Sequence, residues 1–165
     1  MLNLSNKSNF FFDCLPSYDN GYLEVGDNHS IYYEQYGNPS GIPILFLHGG
    51  PGAGFSNAHK SFFDPKVFRV VFFDQRGSGK SMPYAETNFN NTQLLILDIE
   101  DLRKSLKIDK WYLFGGSWGS TLALLYGIEF PNRCLGFILR GIFLGTKIEI
   151  DWFLYDIKKF FPEAY

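Results

Sequence analysis

The sequence has 165 residues, 45% of them hydrophobic and 19% aromatic, enough apolar material for one folded domain and too much for a disordered chain. Fifteen Lys and Arg against seventeen Asp and Glu leave a formal charge of −2, with no basic run to neutralise a phosphate backbone, which argues against nucleic acid as a partner. No stretch approaches the roughly 20 apolar residues that span a bilayer, and Met1 to Pro16 carries only a short Phe run, too little for the apolar centre of an export signal. Cys14 and Cys134 lie far apart and in no C-x-x-C spacing, so neither a zinc site nor a disulfide framework is indicated and a reducing cytoplasm is expected.

In chain order, Gly21 to Tyr36 reads as two β-rich runs around a Gly-Asp-Asn turn, an antiparallel hairpin. Ile42 to Leu47 is a continuous apolar run of the kind buried on both faces of a parallel sheet. It ends in the loop His48-Gly49-Gly50-Pro51-Gly52-Ala53-Gly54. Ser56 to Phe63 leaves room for a short crossover helix before a second buried strand, Phe68 to Phe73, and its polar loop, Asp74 to Ser81. Asn91 and Thr92 can cap a helix running to about Leu106, with Leu95, Ile99, Leu102 and Leu106 on the apolar face and charged residues on the other. Trp111 to Phe114 is the next strand, and a helix follows from about Thr121 until Pro131 closes it. Cys134 to Leu139 reads as a further buried strand. Strands alternating with helices behind a leading hairpin imply an α/β fold, a mostly parallel sheet with an antiparallel edge. In such sheets ligands bind at the carboxyl ends of the strands, where three of these loops converge.

The turn Gly115-Gly116-Ser117-Trp118-Gly119 lies between a strand and a helix, the context of a nucleophile elbow. Ser117 would attack an acyl carbon, and the backbone N–H of Trp118 would be one oxyanion donor. The second donor is expected from Gly50, or in second place Gly49, in the glycine loop. Asp74-Gln75-Arg76-Gly77 reads as a turn whose polar groups satisfy neighbouring backbone. Gly77-x-Gly79-Lys80-Ser81 lacks the first glycine of a phosphate loop, so nucleotide binding is rejected.

Three blocks together, His48-Gly49-Gly50-Pro51-Gly52, Phe73 to Ser81, and Gly115 to Leu124, resemble the signature blocks of proline iminopeptidases. Arg140-Gly141-Ile142-Phe143, Trp152-Phe153 and Phe161-Pro162-Glu163 are similar to that family as well, and the match runs from about Gly21 to Tyr165. The resemblance implies an α/β-hydrolase fold and a serine peptidase that removes N-terminal proline from peptides without cofactor or metal. It implies that Phe143 and Trp152 wall the proline pocket, with core packing an equally open reading for both. In α/β-hydrolases the triad runs Ser, Asp, His along the chain, yet no histidine follows Ser117 here. His48 is expected to hold the glycine loop, His29 to be solvated in the hairpin turn, and His59 to lie at the surface. Asp151 and Asp156 fall where the family begins its helical cap and are not assigned to the triad.

The expectation is therefore a truncated α/β-hydrolase fold, matching the N-terminal half of the family and its first six strands. Residues 1–145 would belong to the core and 146–165 to the beginning of the cap. The triad Asp and His and the cap carboxylates would be missing, leaving little or no activity in this chain alone and an apolar sheet edge at Cys134 to Leu139. The alternatives are a non-catalytic half that pairs with a separately made C-terminal half, and an esterase on the same fold.

Overall fold

The middle of the sheet forms where apolar side chains fill both faces of a strand. In β3 (Ile42–Leu47), Ile44 and Phe46 point to one side and Leu45 and Leu47 to the other, and all four are buried. The protein is described by a computed structural model over residues 11–164; residues 1–10, which open the stretch read above for an export signal, and Tyr165 lie outside it.

β1 (Asp19–Glu24) and β2 (Ser30–Gly37) form the expected antiparallel hairpin. β2 then pairs antiparallel with β4 (Phe68–Phe73), while β4, β3, β5 (Trp111–Gly116) and β6 (Cys134–Arg140) run parallel, giving the order β1-β2-β4-β3-β5-β6. Leu45 lies in register with Val71 on one side and Leu113 on the other, so the carboxyl ends of β3, β4 and β5 emerge together. The crossover between β3 and β4 carries one 3-10 turn, Asn57–Phe62, where the sequence suggested a short helix.

Helices α1 (Thr92–Ser105) and α2 (Trp118–Glu129) cover one face of the sheet, packing Leu95, Ile99, Leu102, Leu122 and Tyr126 against Leu45, Val71 and Leu113. The opposite core is aromatic, with Phe46, Phe63 and Phe72 at its centre. Asn91 caps α1 as expected, its side chain accepting from Leu94 N–H at 3.1 Å. The charged face of α1 is not turned to water. Asp98, Glu100 and Arg103 are buried, Asp98 against Arg76 and Glu100 between Arg103 and the Tyr126 hydroxyl, because α2 and the loop after β4 cover that side.

His29 is also corrected. It is 1% exposed, and its Nε2 lies 3.0 Å from the carbonyl of Asn88, because the segment after β4 folds back over the hairpin turn. His59 is half-buried and stacks on Phe46 with ring centroids 4.7 Å apart, so it belongs partly to the aromatic core. β6 pairs only with β5 among the described residues, and Leu135, Phe137 and Ile138 are each more than 40% exposed, so the strand is the expected apolar sheet edge, half-exposed and not buried. Among the described residues no helix is long and apolar enough to cross a membrane.

Candidate active site

β5 ends at Gly116 and α2 begins at Trp118, so Ser117 makes the reversal between them at φ 55°, ψ −125°. Residues with a side chain occupy that region at a cost of about 1–3 kcal/mol, and the surroundings must enforce it. They do so at both ends of the residue. Ser117 N–H donates to the Arg140 carbonyl at 3.1 Å, and the Ser117 carbonyl accepts from Ser120 N–H at 2.8 Å and from the Ser120 hydroxyl at 2.6 Å. Gly115 and Gly119 are required by close approach: a Cβ on Gly115 would meet the Gly119 backbone, and one on Gly119 would meet the Leu47 carbonyl. The turn leaves the Ser117 side chain exposed above the sheet.

The glycine loop after β3 lies directly beside it. A Cβ on Gly49 would sit 3.4 Å from the Cβ of Ser117 and 3.0 Å from the Gly116 carbonyl, which brings Gly49 against the elbow. Gly50 follows at φ 119° on the exposed side of the loop. Among the described residues, the N–H groups of Gly50 and Trp118 meet no acceptor. Both belong to residues next to the elbow contact: Gly50 follows Gly49, which packs against Ser117, and Trp118 follows Ser117 itself.

His48 holds the loop from below. It is 2% exposed; Gln75 N–H meets its Nε2 at 3.0 Å, and its Nδ1 lies 2.9 Å from the Gly49 carbonyl and 3.2 Å from the Gly54 N–H, so both ring nitrogens are engaged by the loops after β3 and β4. Burial pushes its pKa down, so the ring is neutral. Asp74 serves the same end. Its carboxylate accepts from Phe55 N–H at 2.9 Å and from Lys80 N–H at 2.8 Å, tying the loops after β3 and β4 together. Arg76 is turned away from the serine: its guanidinium meets Asp98 at 2.7 Å and Asp27 at 3.3 Å, and donates to the carbonyls of Val25 and Phe89.

Beyond the elbow, Ser117, Gly141, Phe143, Ile148, Glu149 and Trp152 line one hollow of about 480 Å³. Phe143 is half-buried and Trp152 is 48% exposed, so neither is a core residue and both face the space above the serine. Trp152 is carried by α3 (Lys147–Leu154), whose start is fixed by a capping box between Thr146 and Glu149. Hydrogen bonds from the backbone and side chain of Thr146 hold the Glu149 carboxyl below its ordinary pKa. Asp151 pairs with Lys147, and Asp156 pairs with Lys159 at 2.8 Å, so both are engaged within their own turns.

Three residues of this site were not singled out by sequence reasoning. Ser120 and Thr121 fasten the wall of the hollow: Phe143 N–H donates to Ser120 Oγ at 3.0 Å, and Thr121 Oγ1 donates to the Phe143 carbonyl at 2.5 Å. Gln75 bridges the loop after β3 and the residue after the serine. Two polar residues one turn past the elbow were the available signal for the first pair; nothing local pointed to the third. Among the described residues no group of three or more His, Cys, Asp or Glu is arranged to hold a metal ion.

The profile of the alpha/beta hydrolase fold matches residues 42–165. The chain belongs to the alpha/beta hydrolase fold family. Within that family it is 52% identical over 155 residues to a probable proline iminopeptidase of Leptolyngbya boryana, covering 93% of this chain and 48% of that protein. It is 53% identical over 148 residues to a proline iminopeptidase of Arabidopsis thaliana, covering 90% of this chain and 39% of that protein. Among solved structures, a proline iminopeptidase-related protein of Thermus thermophilus superposes with a TM-score of 0.64 at 32% identity, covering 73% of this chain and 43% of that one. An epoxide hydrolase of Vigna radiata superposes with a TM-score of 0.69 at 19% identity over 86% of this chain and 46% of that one, a likeness of hydrolase fold alone. The chain spans about half the length of the relatives it matches. The expected fold, a mostly parallel α/β-hydrolase sheet behind a hairpin, is the fold observed.

Proposed function

We propose that this hydrolase-fold chain carries the nucleophile, the oxyanion donors and one wall of the substrate pocket of a serine aminopeptidase that releases proline from peptide N-termini. The observation that carries the reading is Ser117, strained at an elbow and opening onto the same hollow as Phe143 and Trp152, in a sequence about half identical to proline iminopeptidases. Ser117 Oγ adds to the prolyl carbonyl carbon, and the oxyanion is received by the N–H of Trp118 and by that of Gly50, with Gly49 the alternative. The tetrahedral adduct collapses as the C–N bond breaks and the peptide amine takes a proton. Water then attacks the acyl-serine and frees proline. This sequence of steps calls for no cofactor. Phe143 and Trp152 supply apolar walls for the pyrrolidine ring.

The base that takes the Ser117 proton is assigned to none of the three histidines. His48 is spent on the glycine loop, His29 is buried against Asn88, and His59 stacks in the aromatic core. We place the base and its orienting carboxylate in a segment outside these 165 residues, docking along the exposed β6 edge, and residues 146–165 at the start of a cap over the site. Whether that segment is the same polypeptide or a separate C-terminal half is decided by assay. The free thiols of Cys14 and Cys134 suit a cytoplasmic setting.

The test is hydrolysis of proline p-nitroanilide by the chain alone and by the chain mixed with the C-terminal half of a proline iminopeptidase, each beside a Ser117→Ala variant. Activity that appears on mixing and disappears with the alanine supports the reading. A folded chain that stays silent in both forms would overturn it.

A further inference from the structure

Gln75 is the residue that joins the two halves of the proposed oxyanion hole. It is 2% exposed, and all its polar groups except the carbonyl, which accepts from Ser78, are directed at those halves. Its backbone N–H donates to His48 Nε2 at 3.0 Å, and its side-chain Nε2 donates to the His48 carbonyl, also at 3.0 Å. Its side-chain Oε1 accepts from the indole Nε1–H of Trp118 at 3.0 Å. The amide can be oriented in one way only. An indole nitrogen is solely a donor and a backbone carbonyl solely an acceptor, so oxygen must face Trp118 and nitrogen must face His48.

We propose that Gln75 is a positioning residue, setting the separation between the Trp118 N–H and the glycine-loop N–H that receive the developing oxyanion. The inference rests on the reading of Ser117 as the nucleophile. Sheet order gives the bridge its meaning. β3 lies between β4 and β5, so a side chain at the end of β4 reaches across the end of β3 to the elbow that follows β5. The backbones already pack closely at Gly49 and Gly119, and Gln75 adds the side-chain hydrogen bonds that fix the Trp118 indole relative to the His48 carbonyl. Donors must lie 2.7–3.1 Å from the oxyanion to act, and sites of this kind tolerate about 0.5 Å of displacement. The planar amide is a short, rigid spacer, buried where water does not compete for its hydrogen bonds.

The contribution is made in the transition state, so its loss should appear in kcat and leave KM nearly unchanged. Removing an oxyanion donor outright costs about 10² to 10³ in kcat. A donor displaced but still present should cost less, about 10-fold to 100-fold. Gln75→Met keeps the length and removes both hydrogen bonds; Trp118→Phe removes the indole donor and keeps the backbone N–H. If the two side chains act through one bond, the double variant should lose little more than either single one.

The experiment has two readouts. In the form that hydrolyses proline p-nitroanilide, kcat and KM are measured for wild type, Gln75→Met, Trp118→Phe and the double variant. Separately, indole N–H resonances are recorded for the 165-residue chain, whose three tryptophans, Trp111, Trp118 and Trp152, give one signal each. The expected result is a 10-fold to 100-fold fall in kcat, KM within about twofold, non-additive losses, and a Trp118 indole signal that shifts in Gln75→Met while Trp111 reports an intact core. A Trp118 signal that does not move overturns the bridge. A signal that moves while kcat stays at the wild-type value overturns the positioning role and leaves the nucleophile reading standing. Silence of the wild type itself overturns the aminopeptidase reading and this inference with it.

Discussion

Thr121 Oγ1 donates to the Phe143 carbonyl, fastening the loop after β6 onto the first turns of the elbow helix. The bond matters because the same loop carries one wall of the hollow over Ser117. The elbow helix and the Phe143 wall are thus hydrogen-bonded to each other, and the position of the nucleophile is set relative to the ring that would hold the substrate.

Thr121→Val keeps the shape of the side chain and removes the donor. The expected loss of stability is about 0.5–1.5 kcal/mol, read as a lowered urea midpoint. In the active form KM for the proline substrate should rise more than kcat falls, since the variant loosens a wall and leaves the nucleophile in place. Equal KM in variant and wild type would show that Phe143 does not bound the substrate.

Ser117 gives a prediction of opposite sign for stability and activity. Its φ of 55° is tolerated by glycine and resisted by a side chain. Ser117→Gly should therefore be more stable than wild type by about 1 kcal/mol, after allowance for the extra freedom of glycine in the unfolded chain, while Ser117→Ala should lie close to wild type. Both should be inactive. Urea midpoints that rank alanine above glycine would show that the elbow stores no strain.

How much of this was legible in the sequence follows from how local each signal was. The apolar run Ile42 to Leu47, the hairpin around Gly26-Asp27-Asn28 and the elbow at Ser117 are contiguous, and each was readable because its pattern fits one element. The burial of Asp98, Glu100 and Arg103 was not. A charged helix face reads as solvated unless its partners are known, and Arg76 lies 22 residues from Asp98 while Tyr126 lies 26 from Glu100. His29 was misread for the same reason, since Asn88, which covers it, is 59 residues away. Gln75 escaped notice because both its side-chain partners arrive only when β3, β4 and β5 are set side by side.

The Arg76–Asp98 pair joins the loop after β4 to α1 with side chains 1% and 2% exposed. Removing one partner leaves the other charge in a space water does not reach. Asp98→Ala should cost about 3–5 kcal/mol, a large part of a typical domain's 5–15 kcal/mol. The double replacement Arg76→Met with Asp98→Leu should recover much of it, because no charge is then left buried. Thermal melts followed by circular dichroism would check both; a single-variant loss below about 1 kcal/mol would mean that Asp27 and the carbonyls of Val25 and Phe89 suffice for the guanidinium.

Glu34 sets an acid limit on the hairpin side of the sheet. Burial alone would push its pKa up, but hydrogen bonds from Ser17, Lys60 and Tyr32 outweigh that and lower it from the ordinary value near 4.5 to about 2. A carboxyl depressed in the folded state contributes stability that is fully present above its unfolded value and is lost as pH falls through its folded one. The contribution should therefore be complete above about pH 4.5 and drain between there and about pH 2. Lys60 sharpens the effect, since its ammonium lies 2.9 Å from Glu34 with only 5% of the side chain exposed and loses its counter-ion when Glu34 is protonated. Glu34→Gln should be markedly less stable than wild type at neutral pH, and the gap should close as the pH falls through that window, because protonation gives the wild type the same uncharged partner. Urea midpoints of both proteins at a series of pH values check this. A gap that stays constant through the window would mean that Glu34 stabilises the fold by packing and not by its charge.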